Sequence, residues 1–259
     1  MITIIFGPPR IGKTAFMVYL LNLRAYDFER NRAMQRSIMK KNANGFKLTV
    51  PTHCASANFE ITFRKNGYMP RKSRIIDPKK LGFGGEGRET HFLLPYETIG
   101  IMEAQEYFNS RKYAEFKPWQ SNLFEQHGHN HLDIIMDTQR PGLIDLNIRE
   151  LARFIEIRSL DVEYDNHLWF KTITWVIREF DNVGLVDEYM RSGKRDTSCY
   201  TERRIVYNYN VLDMYDSYSC EPKFYAGHLN QDFDLKYGNM VCETKEDYIQ
   251  YLEDIKEVA

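Results

Sequence analysis

The sequence lacks most of the features that would place a protein outside the folded, reduced, unanchored class. Its four cysteines, Cys54, Cys199, Cys220 and Cys242, lie far apart with no Cys-x-x-Cys pair. That spacing argues against a disulfide framework or a thiolate zinc site, and for free thiols in a reducing compartment. No stretch approaches the ~20 apolar residues that a membrane-spanning helix needs. The first apolar run begins at Ile2, which leaves no room for the charged and apolar regions of a signal peptide, so the expected location is the cytoplasm. Neither charge sign dominates, with 35 Lys and Arg against 36 Asp and Glu. No global field therefore draws the chain to nucleic acid or a membrane surface, and any such contact must come from a local patch. Internal repeats and low-complexity tracts are also missing from the sequence.

What is present is an α/β pattern. At 259 residues and 43% hydrophobic content, the chain can bury one good core with a smaller appended unit. Ile2 to Phe6 is short, β-branched and aromatic, and Gly7 stops it, so it reads as a buried strand. From Thr14 the apolar spacing becomes helical through Phe16, Leu20, Leu23 and Phe28, fading at "KKNANG". "THCASANFEITF" reads as a second strand with its approach loop, "TIGIM" as a third, "HLDIIMD" as a fourth and "RFIEIRSL" as a fifth. "GFGGEGRE" reads as a flexible loop, "EAQEYFNSRKYAEF" as the start of a helix or lid, and "LIDLNIRELA" as a helix after the turn "TQRPG". Alternating strands and crossovers predict a mostly parallel sheet flanked by helices. Beyond Asp161, "LWFKTITWVIREFD", "VGLVDEYMR" and "ERRIVYNYN" read as antiparallel strands. "TKEDYIQYLEDIKEVA" reads as a terminal amphipathic helix capped by Thr244, with Tyr248, Leu252 and Ile255 on one stripe. The expected division is a core over 1–160 and a β-rich extension over 161–259 packed on it.

The loop after the first strand carries chemistry. "GPPRIGKT", from Gly7 to Thr14, satisfies G-x-x-x-x-G-K-[ST] between a strand and a helix, the context a phosphate-binding loop requires. Gly7 permits the sharp exit from the strand, and Gly12 lets the backbone approach phosphate oxygens. Pro8 and Pro9 have no N–H to give, so the donors must come from Arg10, Ile11, Gly12, Lys13 and Thr14, with Ala15 continuing the run into the helix. Those amides form an anion nest that the helix dipole strengthens. Lys13 is expected at the β- and γ-phosphates of ATP, and the Thr14 hydroxyl as a ligand of Mg²⁺. The alternative is a glycine-containing turn that binds nothing.

Two further stretches sharpen the reading: "TIGIMEAQEYFNSR", with "I-x-E-A-Q-x-x-F" from Ile101 to Phe108, and "HGHNHLDIIMDTQRPGLIDLNIREL". Together with the loop and the "SANFEI" segment, they resemble the N-terminal ATPase domain of the zonular occludens toxin (Zot) family, which includes the filamentous phage gene I assembly proteins. The resemblance covers roughly residues 1–160 and, more loosely, the strands to about 218. It implies a RecA-like core of the additional-strand P-loop type, a homo-oligomer that is hexameric in the family, and a role in powering virion assembly and secretion. Partners so implied are phage assembly or membrane-channel proteins at the inner face of the membrane, with DNA as a further partner. It places Glu103 on the glutamate that polarises water and Gln139 on a polar sensor position. Arg149, with Arg140, falls where a finger could reach a neighbouring subunit's nucleotide; an exposed or salt-bridged arginine is the other description of each.

The departure is Met102, where the family pattern has aspartate. A thioether is a poor ligand for Mg²⁺, which prefers hard oxygens, and Glu103 on the opposite strand face cannot simply replace it. Asp137, at the end of the fourth strand, can act through a water. Three readings follow: a slow or partner-stimulated assembly ATPase, a DNA-packaging or DNA-translocating ATPase, and a nucleotide-binding scaffold without turnover. His127, His129 and His131 alternate in "HGHNH" and invite zinc, against the plainer reading of a polar approach to the fourth strand. The stretch Arg64–Lys80 holds seven basic residues and one acid, and reads either as a phosphate contact through Arg71, Lys72 and Arg74 or as a solvated insertion.

Overall fold

Eight of the ten strands among the described residues form one sheet, whose order explains where the loop after the first strand emerges. The structure, a computed structural model, describes residues 1–44, 50–82, 93–111, 118–165, 167 and 169–215. In chain order the elements are β1 (Ile2–Phe6), α1 (Lys13–Ala25), α2 (Phe28–Ala43), β2 (Ala55–Ala57), β3 (Thr62–Phe63), β4 (Arg71–Lys72), β5 (Arg74–Ile75) and β6 (Thr98–Ile101). There follow α3 (Pro118–Gln126), β7 (Asp133–Thr138), α4 (Leu146–Glu150), β8 (Ala152–Tyr164), β9 (Phe170–Phe180), α5 (Val183–Arg191) and β10 (Thr201–Tyr207). Eight strands pair in the order β10-β9-β8-β1-β7-β6-β2-β5, while β3 and β4 form a separate hairpin. From β8 to β5 every pairing is parallel; β9 and β10 add on antiparallel. This is the expected α/β P-loop NTPase fold, with its antiparallel extension.

The sheet has two buried faces, as a mostly parallel sheet covered by helices must. On one face α1 lays Phe16, Met17 and Leu21 against Ile5, Ile135, Ile157 and Trp175. On the other, Leu123 of α3, Ile148 of α4 and Tyr189 of α5 cover Phe6, Ile101, Met136, Phe154 and Phe180. β8 crosses the expected boundary at residue 160 without a break, and only its first five residues pair with β1.

Two elements differ from the sequence reading. The long first helix is two helices, because Asp27 stops α1 and caps α2, its carboxylate accepting from Arg30 N–H at 3.1 Å. Leu23 and Phe28, assigned to the apolar face, are exposed. "VGLVDEYMR" is helix α5, not a strand: Asn182 accepts from Leu185 N–H at 3.1 Å, and Val186 and Tyr189 are buried at helical spacing. "GFGGEGRE" after Gly82, much of "RKYAEF" and the terminal segment "TKEDYIQYLEDIKEVA" lie outside the described residues.

Candidate functional site

The loop between β1 and α1 is shaped by its neighbours as well as by its own sequence. Gly7 has φ +151° and Gly12 φ +89°, the latter in the left-handed region that favours glycine. A Cβ on Gly12 would stand 2.6 Å from Leu160 Cδ2 of β8. Pro8, Pro9 and Arg10 are exposed, Ile11, Gly12 and Thr14 half-buried, and Lys13 and Ala15 buried. The first helical hydrogen bond of α1 runs from Phe16 N–H to Gly12 O at 3.0 Å. Amides 13–15 therefore have no helical acceptor and face outward as donors, the arrangement that receives phosphate. Lys13 Nζ donates to Pro8 O at 2.9 Å, folded over the loop that it would otherwise extend across.

Strand parity places Asp137 here, and a left-handed turn brings Glu103 beside it. Asp137 at the end of β7 and Met102 just past β6 are on the α1 face of the sheet, as are Ile135 and Ile5. The Thr14 hydroxyl donates to Asp137 Oδ2 at 2.7 Å, and Glu103 N–H donates to Asp137 Oδ1 at 2.7 Å. Asp137 is 1% exposed. Burial raises its carboxyl to about 6 although Thr14, the Glu103 amide and Lys13 pull it down. Burial also lowers the Lys13 ammonium below its ordinary value, opposed by the charges of Asp137 and Glu103. Glu103 takes the left-handed conformation, φ +51° and ψ +47°, and Gln105 Nε2 donates to its Oε2. Lys13, Thr14, Glu103 and Asp137 thus meet at the carboxyl ends of three adjacent parallel strands.

The Met102 side chain offers no oxygen and joins the apolar cluster under α1. The hard oxygens near Thr14 belong to Asp137, one strand closer to β1 than the expected position. Hydroxyl and carboxylate oxygens are the donors Mg²⁺ selects, so Thr14 and Asp137 fit that ion and Met102 does not. Asn58 carries a role that sequence reasoning did not assign. It lies in "SANFEI", is 1% exposed, and bonds both main-chain groups of Met102. Nothing local in the sequence distinguishes it from a turn asparagine, because its partner is 44 residues away.

The other named residues are more scattered. Gln139 and Arg140 are exposed just beyond β7, where the Thr138 hydroxyl donates to Arg140 O at 3.2 Å. Arg149 is half-buried in α4, its Nε donating to Ile144 O at 3.0 Å. The histidines do not converge on a metal: His127 Nδ1 is 2.7 Å from Phe124 O, and His131 stacks on Tyr96 with ring centroids 4.5 Å apart. Among the described residues the grouping with metal-ligand spacing is Glu188, Asp196 and Cys199, away from "HGHNH". Of the three cations named for phosphate contact, Arg71 bonds Ala25 O and lies 4.7 Å from the Tyr26 ring centre. Arg74 pairs with buried Glu97 at 3.2 Å, and Lys72 with Glu60 at 3.6 Å. Arg71 and Arg74 are therefore tied into the fold, while Lys72, like Arg64, Lys65, Lys79 and Lys80, stays exposed. Among the described residues no helix is long and apolar enough to cross a membrane.

The sequence model of the zonular occludens toxin (Zot) family matches residues 1–160. Among solved structures, the chain is similar to the N-terminal domain of zonular occludens toxin from Neisseria meningitidis, at 19% identity and a TM-score of 0.45, covering 83% of this chain and 98% of that one. It is also similar to the genome packaging NTPase B204 from Sulfolobus turreted icosahedral virus 2, solved with ATP-gammaS, at 12% identity and a TM-score of 0.34, covering 82% and 93%. No curated protein matches the sequence.

Proposed function

The chain belongs to the zonular occludens toxin family, and from that premise we propose that it is an ATP-binding, ATP-hydrolysing motor-type protein serving assembly and secretion of filamentous-type phage. The observation that carries this reading is the hydrogen-bonded path from the Thr14 hydroxyl through buried Asp137 to the Glu103 backbone N–H, which ties the phosphate loop to the main chain of the residue bearing the candidate catalytic carboxylate.

The residues divide the work as follows. Amides 13–15 and the Lys13 ammonium take the phosphate tail, once Lys13 leaves Pro8 O. Thr14 and Asp137 would hold Mg²⁺, which when bound neutralises phosphate charge. Asp137 accepts the Thr14 proton and so keeps the hydroxyl's lone pairs turned away from itself. Glu103 orients the attacking water and takes its proton. Asp137 takes over the role that aspartate at position 102 would have had, so Met102 does not by itself remove catalysis. The substitute carboxylate comes from the neighbouring strand and is already held by two hydrogen bonds, which favours slow, partner-stimulated turnover.

Steady-state hydrolysis of Mg²⁺·ATP tests this. Lys13→Ala should lower kcat/KM by about 10²-fold or more. Glu103→Gln should lower kcat by roughly 10²–10⁴-fold while nucleotide affinity is kept. Turnover per chain should rise with protein concentration, because a homo-oligomer completes the site. Stimulation by DNA would move the reading to a DNA-translocating or packaging motor. Tight ATP binding without turnover at any concentration would select a non-catalytic scaffold, the second reading, which Met102 favours. Wild-type hydrolysis that survives Lys13→Ala overturns both enzymatic readings.

A further inference from the structure

Asn58 stands just past the carboxyl end of β2, where the main chain leaves the sheet. Its N–H donates to Gly100 O at 3.1 Å, continuing the pairing with β6. Beyond that bond the side chain replaces the missing strand. Its Oδ1 accepts from Met102 N–H at 2.8 Å, and its Nδ2 donates to Met102 O at 3.1 Å. One carboxamide thus satisfies both main-chain groups of residue 102, as a facing peptide would. At 1% exposure it has no water to fall back on.

The next residue is Glu103, a non-glycine at φ +51°. Such a conformation persists only where the surroundings hold it. On its amino side the peptide is gripped by Asn58. Its own N–H is held by Asp137 at 2.7 Å, and on its carboxyl side Glu103 O accepts from Glu106 N–H at 2.9 Å. Of these three restraints, Asn58 alone acts through a side chain with no place in the nucleotide site. We infer that Asn58 is a positioning residue for Glu103: by clamping Met102 it fixes the left-handed turn that aims the Glu103 carboxylate at the phosphate loop. The inference rests on the reading of Glu103 as the water-orienting carboxylate, and it assigns Asn58 no contact with nucleotide.

Two measurements test it. In the ligand-free chain, Asn58→Ala should speed hydrogen exchange at the Met102 and Glu103 amides by ~10-fold or more, with Ile135 and Met136 of β7 unchanged. In turnover, Asn58→Ala should lower kcat by about 10–10²-fold with KM moved by less than about twofold, the signature of a misplaced catalytic group. With Glu103→Gln already present, Asn58→Ala should cost little more, since both changes disable one function. A loss of equal size in both backgrounds, or unchanged exchange at Met102 and Glu103, overturns the inference. Should Asn58→Ala fail to fold, Asn58→Ser carries the same cycle, because its shorter hydroxyl cannot serve both main-chain groups of Met102 at once. If Lys13→Ala and Glu103→Gln leave the rate untouched, the ATPase reading falls, while exchange still decides the clamp.

Discussion

A carboxylate at 1% exposure loses most of its hydration, and Asp137 recovers only part of it from Thr14, the Glu103 amide and Lys13. Its carboxyl titrates near about 6 in the fold against 3.8 in the open chain. Between those values the folded state holds the proton that the unfolded state has released, so this group's contribution to stability falls as pH rises through that window. The full shift corresponds to at most about 3 kcal/mol. Asn at this position has one acceptor for two donors, so Asp137→Asn should stabilise the ligand-free chain at pH 7.5 by about 1–2 kcal/mol, with the gain vanishing toward pH 4. His53 slopes the other way. Burial lowers it to about 4; its Nδ1 accepts from Ala55 N–H at 3.2 Å and its Nε2 sits 2.8 Å from Lys72 O, so it is the neutral Nε2–H form. Its contribution therefore falls as pH drops below 6.5. Thermal midpoints of wild type and Asp137→Asn across pH 4–8 isolate the aspartate by difference. In the same experiment, Mg²⁺·ATP should bind wild type more tightly as pH rises through about 6 and bind the variant with no such step. Loss of stability in Asp137→Asn at pH 7.5 would mean that the buried charge is not the cost described.

At the scale of elements, the loop owes its shape to β8 as much as to its own glycines. Gly12 combines φ +89° with Leu160 Cδ2 at 2.6 Å from any added Cβ. Gly12→Ala should therefore cost about 1–3 kcal/mol, one part from backbone strain and one part from overlap. Urea unfolding of Gly12→Ala, Leu160→Ala and the double variant separates the parts, because removing the leucine relieves overlap and leaves strain. The double variant should be more stable than the sum of the singles; strict additivity would place the whole cost in the backbone. The glycine pattern was legible in the sequence, since G-x-x-x-x-G-K-T between strand and helix has few other uses. Leu160 was not, because the approach is made across 147 residues of intervening chain by strand order alone. The same distinction covers the misread elements. α5 looked like a strand because Val, Leu and Tyr were weighed by β propensity, whereas Asn182 as a cap and the Val186–Tyr189 spacing carried the helical signal. The cap signal of Asp27 is masked in the sequence by apolar spacing that runs on through Leu23 and Phe28, which the fold leaves exposed.

For the whole molecule, the family match ends at residue 160, inside β8, and the sheet does not end there. Trp175, Phe180 and Tyr189, all fully buried, come from beyond it. Phe180 meets Phe6 of β1 at 5.9 Å between ring centroids, and Trp175 meets Phe16 of α1 at 5.5 Å. Glu156, fully buried on β8, has Lys194 Nζ at 2.8 Å, the Tyr189 hydroxyl at 2.9 Å and Arg178 at 3.8 Å, all from the later segment. Losing three large aromatic side chains from a core costs about 3–5 kcal/mol each. Removing three partners of the Glu156 carboxylate, with Arg158 at 3.5 Å left behind, adds up to about another 3–5 kcal/mol. That total meets or exceeds the roughly 5–15 kcal/mol by which a domain of this kind is stable. A chain ending at residue 160 should then lack the near-ultraviolet signal of fixed aromatics and unfold without a cooperative transition, while the full chain shows both. Cooperative unfolding of the shorter chain would mean that the parallel strands hold together alone, and that the two antiparallel strands are an accessory. The extent of the family match is readable because the motifs that carry it, from Gly7 to Arg149, all lie in the first 160 residues. Which aromatic rings beyond Asp161 enter the core is not legible in the sequence, because they are carried in by pairings with β8 that local sequence does not encode.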